Sequence, residues 1–194
     1  MKKAQITLAV IILLISTNSI YSQNHNHNHN NGQMKHSEMN HKSLKSSKHK
    51  NMMQSKKVMM ILNNYLKVKT ALVNSDYKEA AKSGVALHNS LKTFSYKGFT
   101  DKQQVEIKDI ITDAKEHAEH IGKSKLDHQR EHFKTLSKDI IDLITITGSM
   151  HKIYQQYCPM YEGGSTWLSV EKAVKNPYYG SKMLSCGKVV KEIN

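Results

Sequence analysis

The chain has 194 residues, with 29 Lys and Arg against 16 Asp and Glu, 12 His and only two Cys. A formal net charge of +13 raises nucleic acid as a partner, but the charge is unevenly spread: residues 23–57 carry seven lysines against the single Glu38, and the rest mixes both signs. A solvated tail and ordinary helix faces account for most of the excess, and the expectation of export argues against nucleic acid.

Lys2 and Lys3 precede an apolar run from Ala4 to Ile15, followed by the polar stretch STNSIYSQ. A charged start, a short apolar core and small residues at a cut site are the marks of a secretory signal peptide. We place residues 1–22 in it, with cleavage after Ser22. The run is too short for a transmembrane helix, and no other stretch is apolar enough to span a bilayer. The expectation is a periplasmic or secreted protein with no stable membrane insertion after cleavage, in a space where thiols can pair.

Residues 23–53, QNHNHNHNNGQMKHSEMNHKSLKSSKHKNMM, hold His25, His27, His29, His36, His41 and His49 with Met34, Met39, Met52 and Met53. With almost nothing to bury, this stretch is expected as a disordered tail. Alternating imidazoles on such a chain can collect copper, nickel or zinc; a polar spacer of biased composition is the plain alternative.

From about Gln54 helical periodicity begins with Val58, Ile61, Leu62, Tyr65, Val68 and Leu72. Asp76 with Glu79 predicts a capping box for a second helix, whose apolar face runs from Tyr77 through Leu87 and Leu91 to Phe94. After the loop SYKGFT, Thr100 and Gln103 form another box. Ile107, Ile111, Ala114, Ala118 and Ile121 mark the third helix, which Gly122 is expected to end. Leu126, Phe133, Leu136, Ile140 and Leu143 mark the fourth, stopped by Gly148. Four amphipathic helices with short links predict an all-α, up-and-down four-helix bundle.

From Met150 the chain has no helical stripe and holds both prolines and the only Trp. It is expected to form a small loop-rich lobe that must dock on the bundle or be stapled. KIYQQYC and GKVVKEI have the look of short strands, NPYYGS of a turn, and Trp167 and Tyr179 of a small core. Both cysteines lie here, each near a methionine: Cys158 with Met160, Met183 with Cys186. In an extended segment Cys158 and Met160 would share a face. Thiolate and thioether are soft donors that select Cu(I), whereas zinc seldom takes methionine. Two cysteines in an exported chain also commonly pair, and methionine fills cores. From spacing alone, disulfide and metal site stand level.

The stretches YLKVKTALVNSD, AEHIGKSKLDHQREHFKTLS, YCPMY, WLS and NPYYGSKMLSCG resemble a bacterial periplasmic family of unknown function that also occurs fused to the adaptor subunits of heavy-metal efflux systems. The resemblance runs from about Met59 to the end. It implies a helical domain with a copper-type site at Cys158, Met160, Met183 and Cys186, with His120 matching a further motif position. Cu(I) is the favoured ion and zinc the alternative. The chain has no hairpin or barrel region of an efflux adaptor, so a stand-alone binder is implied, with efflux components as partners.

His117 and His88 stand behind His120 as further candidate ligands, although a lone His88 on an apolar stripe is more often a hydrogen-bonded core residue. His128 and His132 have the i, i+4 spacing of a chelate, but their charged surroundings, KLDHQREHF, read as a solvated face. No nucleophile motif, phosphate loop or paired carboxylates argue for an enzyme. The function expected is soft-metal binding for sequestration, tolerance or delivery. The alternative is a module that docks on an efflux adaptor or envelope protein, with the cysteines as a structural disulfide.

Overall fold

The computed structural model describes residues 41–193, with side-chain surroundings defined from Met52 onward. The expected signal peptide, residues 1–22, and residues 23–40, with His25, His27, His29 and His36, lie outside the described residues. Helix α1 spans His41–Val73, α2 Tyr77–Lys92, α3 Asp101–Lys123 and α4 Leu126–Thr147. Helix α1 opens at His41, so residues 41–53 of the expected tail are helical.

The helix ends follow local chemistry. Asp76 caps α2 by accepting the Glu79 N–H at 3.0 Å, but Glu79 does not reciprocate and faces Lys82 at 3.7 Å instead. At α3 the full capping box forms: Thr100 Oγ1 accepts the Gln103 N–H, and Gln103 Oε1 accepts the Thr100 N–H. Gly148 caps α4 with φ 75°, donating its N–H to Ile144 O. Gly122 is the last residue but one of α3, so the helix ends beside it as expected, though Gly122 itself keeps a negative φ and also serves the packing. A Cβ there would sit 3.0 Å from Val85 Cγ2, and one on Gly84 would sit 2.9 Å from Ile121 Cγ2 and 3.0 Å from Gly122 N. The two glycines let α2 and α3 approach closely.

Each helix packs on the next in sequence, and α4 returns to α1, as the up-and-down expectation requires. The buried stripes merge into one core that includes Ile61, Tyr65, Leu72, Leu87, Ile107, Ile121, Phe133 and Leu136.

The C-terminal lobe corrects the all-α expectation. Strands β1 (Ile153–Cys158), β2 (Ser165–Ser169) and β3 (Lys188–Ile193) form an antiparallel sheet in the order β2-β1-β3. The protein is helix-rich with a small sheet. Cys158 pairs with Ser165, Gln156 with Trp167 and, beyond a register irregularity, Gln156 with Val189.

The lobe shares the bundle's core through Ile153, Cys158, Trp167, Leu168 and Tyr178. Tyr178, not Tyr179, is the fully buried tyrosine; Tyr179 is half-buried and donates its hydroxyl to Met160 O. Arg130 of α4 is buried and donates to Pro177 O, Leu72 O and Ser75 Oγ. It thereby ties the NPYYGS turn to the α1–α2 corner.

Candidate metal centre

Helices α3 and α4 are joined only by Ser124 and Lys125. They pack as antiparallel neighbours, so the last turns of α3 face the first turns of α4. Residues three or four apart share a helix face. His117 and His120 therefore project from α3 toward His128 and His132 of α4. The Nε2 atoms of His128 and His132 are 3.0 Å apart, near the roughly 3.3 Å that two ligands of one tetrahedral ion keep. The ring of His120 stacks on that of His132, with centroids 4.3 Å apart and planes within 9°. The ligand atoms of His120, His128 and His132 all lie within 4.8 Å of one another. They form the one such group of three or more His, Cys, Asp or Glu among the described residues.

The other ring nitrogens are also engaged. His128 Nδ1 is 2.8 Å from Glu131 Oε2, and His132 Nδ1 is 2.9 Å from His117 Nδ1. Partial burial and the neighbouring His120, His128 and His117 push His132 down to about 4. Burial lowers His117 as well, against the opposing pull of Glu116 and Asp113. His132 is thus neutral at pH 7, with a lone pair to offer an ion. His120 and His128 are exposed and His132 half-buried, so an ion has direct access from solvent.

His88 is not part of this group. It sits half-buried between α2 and α3 with Nδ1 3.0 Å from Lys115 O, the arrangement of a hydrogen-bonded core histidine. His41 opens α1.

The sulfur residues form a separate place in the fold. Asn176 is fully buried; it donates to Cys186 O at 2.8 Å, accepts the N–H groups of Tyr178 and Tyr179, and donates its own N–H to Leu184 O. Gly187, at φ 139°, passes close over β1: a Cβ there would lie 2.8 Å from Tyr157 O and 3.0 Å from Trp167 Cη2. Together these bring Cys186 onto the end of β1, with Sγ 2.9 Å from the buried Cys158 Sγ, both as free thiols. The Cys158 thiol beside it raises the pKa of Cys186.

The methionines do not follow the cysteines inward. Strand β1 ends at Cys158, and Met160 stands in the turn beyond, 61 % exposed; Met183 is 38 % exposed at the end of a 3-10 turn. The structure therefore joins Cys158 with Cys186, and joins His120 with His128, His132 and His117. His120 and the two cysteines do not form one group. The pair passed over in the sequence, His128 and His132, carried the signal of its i, i+4 spacing.

Residues 61–152 match the family model described as "Protein of unknown function (DUF3347)". That stretch, running from α1 through α4, is similar to a domain of unknown function. The match includes all four histidines of the cluster and ends before CPM, WLS and NPYYGSKMLSCG. Comparisons with curated proteins and with solved structures found no match. No described helix is long and apolar enough to cross a membrane.

Proposed function

We propose that this chain is an exported metal-binding protein that takes copper, with zinc as the competing ion, for sequestration, tolerance or delivery. The observation that carries this reading is the grouping of His120, His128 and His132 from two helices, with ligand atoms within 4.8 Å of one another. Imidazole suits copper, zinc and nickel, and thiolate suits Cu(I). The Cys158–Cys186 pair therefore supplies a second, softer donor set, flanked by Met160 and Met183. The resemblance carried by the motifs around these cysteines makes heavy-metal efflux components the candidate partners.

Titration of the full chain with Cu(II) and Zn(II) tests the reading. Replacing His128 and His132 together by Ala should remove one bound ion per chain. An unchanged stoichiometry would refute it.

A second reading rests on the 2.9 Å approach of the two sulfurs. In it the cysteines close a structural disulfide, and the lobe is a docking module. Protein isolated from its native compartment without reductant would then carry the disulfide and no sulfur-bound metal.

A further inference from the structure

We infer that His117 and Glu131 are positioning residues that hold His132 and His128 with Nε2 turned to the ion. The inference rests on the metal reading above and adds which nitrogens bind and what fixes them. A neutral imidazole has one N–H and one lone pair, and the partner of the N–H decides which nitrogen is left to ligate.

At His128, Nδ1 faces a carboxylate oxygen of Glu131 at 2.8 Å. Ionised, that oxygen only accepts, so Nδ1 carries the proton and Nε2 is free for the ion. At His132, Nδ1 faces His117 Nδ1 at 2.9 Å. One of these two nitrogens must donate. If His132 is to offer Nε2, its Nδ1–H donates and His117 accepts. The two Nε2 atoms so released are the ones that meet at 3.0 Å.

His117 is thus excluded from the ion by its geometry. Its Nδ1 is spent on the far side of the His132 ring, and the three-residue ligand group does not include it. The arrangement matches the general pattern in which a ligating histidine donates its outer N–H to a carboxylate or another acceptor, and loss of that acceptor costs about 10- to 100-fold in affinity. It leaves a three-imidazole site with an open fourth position for water or another donor.

Zn(II) affinity of the full chain, followed at the ring signals of His128 and His132 against a competing chelator, tests this. His117→Leu should weaken binding by about 10- to 100-fold. His117→Asn, whose Oδ1 can take the place of Nδ1 as acceptor, should restore affinity to within a few-fold, as no merely space-filling role would require. In the Cu(II)-loaded protein, electron spin-echo spectra should count the same number of imidazoles in His117→Asn as in the unaltered chain. Loss of one would make His117 a ligand and overturn the inference.

If His117→Leu binds as the unaltered chain does while His128→Ala is weakened, the inference falls and the metal reading stands. If His128→Ala also binds unchanged, both fall. A variant-free check covers poor folding: long-range ¹H–¹⁵N spectra of the Zn(II)-loaded chain should show Nδ1–H and ligated Nε2 at both His128 and His132. Ligation through Nδ1 at either ring would overturn the assignment.

Discussion

The hydroxyl of Tyr65 on α1 accepts the backbone N–H of Leu168 on β2 at 3.0 Å, 103 residues away in sequence. The same hydroxyl lies 2.8 Å from Ser137 Oγ on α4, and its ring stacks on Phe133 at 5.1 Å. Three elements therefore meet at one fully buried side chain, and the lobe is fixed on the bundle by a hydrogen bond as well as by apolar contact. Tyr65→Phe keeps the ring and leaves the Leu168 N–H and Ser137 without this partner. It should destabilise by about 1–3 kcal/mol, read as a lower midpoint in urea with unchanged slope.

The α2–α3 crossing makes a second prediction. Gly84→Ala forces a methyl against Ile121 and the Ala118 and Gly122 backbone. Helix propensity favours Ala by about 1 kcal/mol, but a backbone clash yields less readily than a flexible side chain. The overpacking cost of about 1–3 kcal/mol should win. Thermal unfolding of the variant below that of the unaltered protein checks it, and an increase would show that the helices can separate at little cost.

Charge on the α3–α4 seam sets a pH dependence. Burial, with repulsion from Asp113 and Asp142, raises Asp139 to about 7, and its Oδ2 is buried without a partner. Because the folded-state pKa lies above the unfolded one, the folded state holds the extra proton. The stability this gives is complete below about pH 4 and is lost as pH rises through 7. Asp139→Asn should remove that loss, adding about 1–2 kcal/mol at pH 8 after allowance for the side chain's solvent contact, and little at pH 4. His132, held down to about 4, acts in the opposite sense: it costs stability as pH falls from about 6.5 toward 4. A melting temperature measured across pH 4–8 should move as stated in Asp139→Asn.

The exposed methionines separate stability from binding. Met160 and Met183 both reach solvent, so Met160→Leu with Met183→Leu should shift unfolding by less than about 0.5 kcal/mol. If the thioethers help hold Cu(I), its affinity in the reduced protein should nevertheless fall. Unchanged Cu(I) affinity would leave the thiols of Cys158 and Cys186 to bind the ion without them.

Much of the bundle was legible because helical periodicity is a local signal: the stripes of α1 to α4 and the Thr100–Gln103 box appear where the sequence puts them. Strand β2 was not, because five residues, STWLS, are too few to show alternation, and Trp167 and Leu168 are both buried. Gly122 marked the end of α3 to within one residue, but its packing against Val85 of another helix carried no local signal. The site was legible in part. His120 was singled out, but its partners were not, since KLDHQREHF is as charged as any solvated face. Only the antiparallel register of α3 on α4 shows that His128 and His132 turn toward it. The structure brings the two cysteines together, whereas the shared face expected for Cys158 and Met160 needed an extended segment, and β1 ends at Cys158.

His120, His128 and His132 are proposed to hold one metal ion. The most direct test is the number of Cu(II) or Zn(II) ions retained per full-length chain at neutral pH, compared with the His120→Ala, His128→Ala, His132→Ala triple variant. Both chains keep the histidines of residues 23–53, so the difference isolates the helical site. The variant should retain one ion fewer, with native helix content preserved. Equal ion counts in two equally folded proteins would contradict it.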